Sequence, residues 1–391
     1  MKINEFRFEN KSLVLKIEST QFSNLSLLVG VSGVGKTLIL QALLDLKKVA
    51  RGKSIDGMEW QLAFSIDEKT HYLWNGAFES NGIVELVNND MFKSSDDSDD
   101  STTLLPKVQY EELYLNGELI AERKENEIKL GGNTTPKLSS FQSLLNLLNE
   151  EDIIHPAFKG LNKIIQSDDS KPESFHIIDD FEALLKKHTT VESVREARMP
   201  THLKLAIVHE NHPDIFNVIK EHFIEVFSQI EDIKLKLVQN SPAFTRNIPY
   251  LQIKEKNVSK WILQKSISSG MFKTLMQISE LFLCSEGTVI LIDEFENSLG
   301  INCIDTLIEN LLYDNRGLQF IITSHHPYII NSIGMEHWKV VSRNGGTIIT
   351  QNAKDFKSLC TTNHKETLNE KTCKTDNRHL LSGECQCKLW G

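Results

Sequence analysis

The stretch that decides the fold is Gly30-Val31-Ser32-Gly33-Val34-Gly35-Lys36-Thr37. Its pattern, G-x-x-x-x-G-K-T, places glycines where the backbone must turn tightly and where its N–H groups must approach an anion. Lys36 supplies a point charge for the β- and γ-phosphates, and the Thr37 hydroxyl is suited to bind Mg²⁺. The stretch therefore predicts a phosphate-binding loop, and we expect the ligand to be ATP with Mg²⁺.

The residues on both sides of this loop predict a strand followed by a helix. Leu25–Val29 is a short apolar run that ends at the loop, which is typical of a buried strand. From Thr37 to Leu46, apolar residues recur at helical spacing, so the positive end of a helix dipole faces the bound phosphates. Alternating apolar residues at 3–8 and 13–17 predict two further strands. This strand–loop–helix order favours an α/β fold.

A second apolar run ends in two acids. Residues 288–292 are apolar β-formers, and Asp293 and Glu294 follow them directly. Asp293 is a candidate for the Mg²⁺ shell, and Glu294 is a candidate general base that polarises the attacking water. A strand that merely ends in a solvated acidic turn is the alternative. The phosphate-binding loop in the same chain favours the catalytic interpretation.

Two more motifs have weaker individual signals. Ser268-Ser269-Gly270 opens a predicted helix in residues 258–283, where it is either an anion site or an ordinary helix cap. His325 and His326 follow a predicted strand at residues 318–323. A histidine at a strand end is either a γ-phosphate donor or a structural, solvent-facing residue.

The order of the four motifs resembles that of the ABC-class P-loop ATPases. It is particularly similar to the SMC-like and OLD-like, AAA-type branch found in bacterial anti-phage defence and DNA-repair systems. The resemblance covers residues 1–70 and 258–345. It implies an α/β fold, a P-loop ABC-type ATPase head with a mixed sheet flanked by helices and an inserted, mainly helical lobe.

Within this resemblance, individual residues acquire roles. Ser268, Ser269 and Gly270 match the signature loop, although Met271 stands where many members carry Gln. The stretch 293–299 matches the branch's Asp-Glu-x-Glu-Asn-x-Leu pattern.

His325 fits the switch histidine better than His326, because the branch usually shows Thr/Ser-His-x-Pro. The glutamine of the Q-loop is not placed, with Gln61 and Gln109 as candidates, and Gly300 stands where many relatives have His.

The resemblance also implies a mechanism. Two heads are expected to pack head-to-tail around two ATP molecules as a homodimer, or as part of a higher oligomer. Ser268, Ser269 and Gly270 of one subunit then act in trans on the γ-phosphate held by the other. Glu294 and His325 are the expected catalytic residues, and Thr37 and Asp293 are the expected Mg²⁺ ligands.

We predict four regions along the chain. Residues 1–125 form the N-terminal part of the head, 126–257 an insertion lobe, 258–350 the C-terminal part of the head and 351–391 a polar tail. Within the insertion lobe, the clearest amphipathic stripe runs from Phe216 to Leu237. The acidic run at 94–102 predicts a solvated loop.

Bulk composition restricts the partners. The chain has 391 residues with a net charge of −10, so its whole surface does not predict nucleic-acid binding, which needs a local basic patch. Few cysteines, no apolar start and no run of about 20 apolar residues predict a cytoplasmic protein without a membrane segment. In the tail, Cys373, His379, Cys385 and Cys387 lack the paired spacing of zinc knuckles, so a frayed terminus is favoured over a metal site.

The resemblance leaves several functions open. The leading interpretation is the ATPase subunit of an anti-phage defence system that works with a partner nuclease or effector, since relatives in Septu-type and retron-linked systems pair with nucleases. No nuclease motif follows residue 345, so we expect no nuclease activity from this chain alone. A RecF-like or SMC-like DNA-repair ATPase is the alternative, and an ABC transporter motor is disfavoured.

Overall fold

The computed structural model describes residues 1–80, 105–167, 181–241, 244–296, 308 and 316–355. Its contacts separate two compact units. Unit 1 comprises Met1–Ile165, Gly287–Asp293 and Gly317–Gly391, and unit 2 comprises Gln166–Glu286 and Glu294–Arg316.

Unit 1 is built on one large sheet. Its strands are β1 (Lys2–Asn10), β2 (Leu15–Gln21), β3 (Leu25–Val29), β4 (Met58–Ser65), β5 (His71–Phe78), β6 (Val108–Leu115), β7 (Glu118–Lys124), β8 (Glu127–Leu130), β9 (Asn133–Thr134) and β10 (Ile164–Gln166). Strands β14 (Val289–Ile292), β15 (Gln319–Thr323), β16 (Trp338–Asn344) and β17 (Thr347–Asn352) complete it. Its helices are α1 (Lys36–Ala50), α2 (Leu144–Leu147), α3 (His155–Leu161) and α9 (Pro327–Ser332), and short 3₁₀ turns lie at Met335–His337 and Ala353–Asp355.

Unit 2 combines helices with a smaller sheet. Its helices are α4 (Phe181–Lys187), α5 (Val191–Glu196), α6 (Thr201–Asn211), α7 (Pro213–Val226) and α8 (Ser269–Leu283). Its strands are β11 (Ile230–Ser241), β12 (Phe244–Glu255) and β13 (Ile262–Leu263), and a 3₁₀ turn at Gln264–Ser266 leads into α8. Both α6 and α7 pack against α8, which is buried along most of its length.

The strand order of the large sheet is β10-β14-β15-β3-β16-β17-β2-β1-β4-β5-β6-β7-β8-β9. Strands β14, β15, β3 and β16 pair in parallel in that order, β16 pairs antiparallel with β17, and β17 pairs parallel with β2. From β2 and β1 to β9 all pairings are antiparallel. Every residue of β3, β14 and β15 is buried, as expected for parallel strands covered on both faces. This mixed sheet with flanking helices confirms the predicted fold class, and β3 and α1 confirm the predicted strand and helix around the loop.

The antiparallel part of the sheet buries one face in an aromatic core. On β4 and β5, alternate residues point inward, and the rings of Trp60 and Trp74 lie 5.0 Å apart. The same cluster takes in the apolar face of α1, including Leu43 and Leu46, which are fully buried. Burial of this face fixes the direction of α1 and therefore the position of its N-terminus beside Gly35.

A buried amide joins the parallel and antiparallel parts. The Gln319 side chain is 1% exposed. Its Oε1 accepts from the Ile3 amide at 2.7 Å, and its Nε2 donates to the Ile3 and Ser23 carbonyls at 2.8 and 3.0 Å. Gln319 thus satisfies backbone groups near the starts of β1 and β3, which would otherwise be buried without partners.

A second buried polar cluster surrounds Glu111. This fully buried carboxylate accepts from Trp74 Nε1 at 2.8 Å, Ser143 Oγ at 2.5 Å and the Leu144 amide at 2.7 Å. Burial raises the pKa of Glu111, while these hydrogen bonds and the charge of Arg123 oppose that shift. The carboxylate also occupies the N-terminus of α2, so it holds that helix against β6.

We predict that Glu111→Ala lowers the free energy of unfolding by about 3 kcal/mol, because three buried donors lose their acceptor. Denaturant unfolding followed by circular dichroism measures the change. Glu118→Ala is the control, since Glu118 is an exposed glutamate on the neighbouring strand β7. Equal midpoints for the two variants would show that the buried network contributes nothing beyond an exposed glutamate.

The stripe predicted from Phe216 to Leu237 is only partly helical. Helix α7 ends at Val226, and β11 begins at Ile230. From Ile233 onward, apolar residues and lysines alternate with a period of two, and pairing with β12 stabilises the strand. The division at residues 125, 257 and 350 remains a prediction.

Two predicted features lie outside the described residues. They are the acidic run at 94–102 and the tail segment that carries Cys373, His379, Cys385 and Cys387. Within the described part of the chain, no helix is both long enough and apolar enough to cross a membrane.

Candidate nucleotide site

The loop between β3 and α1 requires glycine at two positions for steric reasons. A Cβ atom on Gly30 would lie 2.6 Å from the Val341 carbonyl oxygen of β16. At Gly35, φ is 100° and a Cβ atom would lie 2.3 Å from Cδ1 of Ile348. Strands β16 and β17 therefore pack closely against one side of the loop, so the sheet contributes to the curvature of the loop.

The chain's own groups leave the loop suited to an anion. Lys36 is 6% exposed, and its ammonium donates to the carbonyls of Gly30 at 2.9 Å and Val31 at 3.1 Å. Helix α1 has no side-chain cap at its N-terminus and no acid in its first turn. No side chain at this end of the helix therefore accepts a hydrogen bond from its first N–H groups. These N–H groups and the helix dipole both favour binding of a phosphate.

The structure brings three polar side chains together beside this loop. Thr37 Oγ1 donates to Asp293 Oδ1 at 3.1 Å, and Thr323 Oγ1 donates to the same oxygen at 2.5 Å. Asp293 follows β14, Thr323 ends β15 and Thr37 follows β3 through the loop. Since these strands are parallel neighbours, their carboxyl ends meet at one edge of the sheet, where α/β proteins bind ligands.

The donor set fits Mg²⁺. A hydroxyl oxygen and a carboxylate oxygen lie in direct contact here, and hard oxygen ligands are those that Mg²⁺ prefers. Thr37 and Asp293, the two residues predicted as metal ligands, are thus adjacent.

Glu294 has an unusual backbone conformation. Its φ is 46°, which is uncommon for a residue with a side chain, while the next residue, Phe295, is 1% exposed. Burial of Phe295 anchors the chain just beyond β14, and the Glu294 side chain is exposed. Left-handed backbone at a non-glycine residue is often found at functional sites, where surrounding packing holds it.

The two histidines after β15 have different environments. His326 is the N-cap of α9, and its Nδ1 accepts from the Tyr328 amide at 3.3 Å. The His326 amide in turn donates to Ser324 Oγ at 3.0 Å. His326 therefore serves the start of α9, which favours His325 for a role towards a ligand.

The Ser-Ser-Gly motif caps α8 in unit 2. Ser268 is the N-cap, and its Oγ accepts from the Met271 amide at 3.3 Å. Ser268 and Ser269 are exposed, and Gly270 is partly exposed, so this helix end is accessible from solvent.

Cations occupy the opposite end of the same helix. Arg195 Nε donates to the Phe282 carbonyl at 3.0 Å, Lys204 Nζ to the Leu283 carbonyl at 3.1 Å and Arg316 Nη1 to the Cys284 carbonyl at 3.2 Å. Positive charge at a helix C-terminus stabilises the dipole, whose positive end lies at the serines.

A family model described as "AAA domain, putative AbiEii toxin, Type IV TA system" matches residues 25–331. The chain belongs to this family. The match includes the phosphate-binding loop, the Ser-Ser-Gly helix and the Asp-Glu strand in one domain. Comparison with curated protein sequences found no significant match.

Three solved structures are similar to this chain at low sequence identity. An SMC head bound to the C-winged helix domain of ScpA has a TM-score of 0.51 at 12% identity, covering 90% of this chain and 98% of that one. The SMC head domain from Thermotoga maritima gives 0.42 at 12% identity, with 90% and 99% covered. An SMC head domain with an extended coiled coil, from Pyrococcus furiosus, gives 0.47 at 12% identity, with 92% and 98% covered. The first of these supports an SMC-head-like fold for the AAA-type ATPase domain.

Sequence reasoning missed one member of the cluster. Thr323 lies in the strand predicted at residues 318–323, but the apolar pattern of that strand did not show that the Thr323 hydroxyl contacts Asp293, a residue 30 positions earlier. The Q-loop candidates Gln61 and Gln109 are exposed residues of β4 and β6. Residues 297–300 lie outside the described part, so the end of the Asp-Glu-x-Glu-Asn-x-Leu pattern is not placed.

We predict that Thr323→Val lowers kcat/KM for MgATP hydrolysis by about 10-fold, because Asp293 loses a charge-assisted hydrogen bond that orients it towards Thr37. A titration of ATPase rate against Mg²⁺ measures whether the half-saturating concentration rises.

Thr323→Ser is the matched variant, since it keeps the hydroxyl and removes a methyl group. Recovery of most activity by serine, but not by valine, assigns the effect to the hydrogen bond. If serine and valine are equally impaired, side-chain packing rather than the hydroxyl is responsible.

Proposed function

We propose that this chain hydrolyses ATP as an ABC-type ATPase. The observation that carries the proposal is the contact of Thr37 and Thr323 with one oxygen of Asp293, at the sheet edge beside the phosphate-binding loop. Glu294 follows Asp293 directly, so a candidate base stands next to a candidate metal ligand. Simple nucleotide binding needs the loop but does not need this adjacent second acid.

Each residue has a distinct part in the proposed reaction. The N–H groups at the start of α1 and the Lys36 ammonium bind the phosphates of ATP and balance their charge. Thr37 and Asp293 would hold Mg²⁺, which would supply Lewis-acid stabilisation of the transferring phosphoryl group. Glu294 accepts a proton from the attacking water, and His325 donates a hydrogen bond towards the γ-phosphate.

The active unit in this proposal is a head-to-tail dimer. The exposed N-terminus of α8 offers N–H groups and a positive dipole end, which suits the γ-phosphate of ATP held by a second copy. Ser268, Ser269 and Gly270 then act only when two heads meet. ATP therefore promotes dimerisation, and hydrolysis releases it.

We expect Glu294→Gln to retain ATP binding, to lower kcat by at least about 100-fold and to accumulate as an ATP-dependent dimer. The amide cannot accept the proton of water, so hydrolysis no longer separates the heads. Steady-state ATPase assays and light scattering with and without MgATP measure the two effects.

Glu286→Gln is the control, because Glu286 is an exposed glutamate just before β14, at the opposite end of the strand from Glu294. It should hydrolyse ATP normally and should not accumulate as a dimer. Wild-type turnover by Glu294→Gln would remove Glu294 as the base, and a monomer at every ATP concentration would contradict the trans arrangement.

For the biological role, we propose the ATPase subunit of an anti-phage defence system acting with a partner effector such as a nuclease. Support comes from the family description, which names a toxin of a toxin–antitoxin system, and from the sequence resemblance to defence ATPases. A DNA-repair ATPase is the second candidate.

We expect the chain, expressed with its neighbouring genes, to co-purify with a nuclease or other effector and to lower phage plaque numbers at least about 10-fold. Lys36→Ala should abolish protection, because it removes the cation that binds the phosphates. Lys36→Ala expressed to the same level and giving wild-type protection would contradict a nucleotide-driven defence role. Protection from DNA-damaging agents instead of phage would favour repair.

A further inference from the structure

The small sheet of unit 2 differs in charge from the rest of the chain. Residues 230–263, from the start of β11 to the end of β13, contain six Lys and Arg against three Asp and Glu. The whole chain has 43 against 53. A local basic segment in an acidic protein points to an anionic partner at this sheet.

The register of the sheet places the charge on one face. Lys234 lies opposite Gln252, and Lys236 lies opposite Tyr250. The other face carries Ile233, Leu251 and Ile253, which are at most 3% exposed. The face of Lys234, Lys236, Tyr250, Gln252 and Lys254, here called the lysine face, therefore points away from the apolar core of unit 2.

The acids near this face are already paired. Lys254 contacts Glu231 at 2.8 Å, and Lys220 of α7 contacts Asp232 at 3.2 Å. Lys236 and Lys256 are exposed, and among the described residues no carboxylate pairs with either. The lysine face thus keeps positive charge that the chain itself does not neutralise.

Aromatic side chains lie among these cations. The Lys234 ammonium lies 3.6 Å from the centroid of the Trp261 ring, which places Trp261 on the lysine face. Tyr250 lies opposite Lys236, and Leu263, which lies opposite Gln252, is 49% exposed. Partly exposed rings offer stacking surfaces, and lysines on alternate residues of β11 are ~7 Å apart along the strand.

We propose that the lysine face, together with Lys256 just beyond the end of β12, binds single-stranded nucleic acid, with Lys236 and Lys256 contacting phosphates and with Trp261 and Tyr250 stacking on bases. Alternating cations and aromatic rings on a sheet suit a strand whose bases are free to unstack. A duplex offers phosphates but keeps its bases stacked, so a duplex can contact the lysines but cannot stack its bases on the aromatic rings. The proposal is independent of ATP hydrolysis.

The test uses the full-length chain and a fluorescein-labelled oligothymidylate of about 30 nucleotides. Fluorescence anisotropy over a range of salt concentrations gives both the affinity and its salt dependence. Lys236→Glu/Lys256→Glu should weaken binding at least about 10-fold and reduce the slope of log K against log salt by about 1.4, since each phosphate contact contributes about 0.7. Trp261→Leu should weaken binding about 10-fold and leave the slope unchanged, because stacking involves no counterion release.

Lys69→Glu/Lys137→Glu is the charge-matched control, because both lysines are exposed in unit 1. It should bind like the wild type, and circular dichroism checks that all variants fold. Lys236 and Lys256 are exposed, so their variant decides the question even if Trp261→Leu does not fold.

Several results would overturn the proposal. One is that the wild type binds no oligonucleotide at low salt, and another is that the control variant Lys69→Glu/Lys137→Glu loses as much affinity as Lys236→Glu/Lys256→Glu. A third is that the wild type binds a duplex of the same length equally tightly, and a fourth is that it binds anionic lipid vesicles but not the oligonucleotide. Preference for oligouridylate over oligothymidylate supports the proposal and identifies RNA as the ligand.

Discussion

One oxygen of Asp293 holds the candidate site together, because it accepts hydrogen bonds from Thr37 and Thr323 at once. The three residues belong to segments that are far apart in sequence, and they meet only if β3, β15 and β14 are adjacent and parallel. The apolar runs of these strands are buried on both faces, which fixes that adjacency. A carboxylate that receives two hydroxyl donors keeps a defined orientation, so the chemistry depends on the strand order of the sheet.

The same dependence holds for the loop itself. Gly30 is required by β16, whose Val341 carbonyl leaves no room for a Cβ atom, whereas Gly35 is required by its own φ of 100°, with the Ile348 side chain of β17 packed close to it. Gln319 stabilises the opposite, amino-terminal end of β3 by satisfying backbone groups of Ile3 and Ser23. The loop is therefore shaped by strands that follow it by some 300 positions, and its geometry forms only when the sheet is complete.

The sequence indicated the strands and helices next to the motifs, because burial and periodicity are local signals there. Leu25–Val29 and α1 agree with prediction, and so does the mixed sheet. The contact from Thr323 to Asp293 and the buried Glu111 network were not predictable, since both arise from pairing between distant segments. The prediction that one amphipathic stripe runs from Phe216 to Leu237 was wrong in its second half for a related reason. The periodicity of the sequence permits a helix there, but pairing with β12 stabilises the strand β11.

Charge explains why both candidate anion sites are built from short-range contacts. A chain of net charge −10 repels polyanions at a distance, although salt screens that repulsion beyond about 8 Å. Attraction must therefore come from groups that touch the ligand. These are backbone N–H groups and Lys36 at the loop, and aromatic rings with Lys236 and Lys256, which pair with no described carboxylate, at the small sheet.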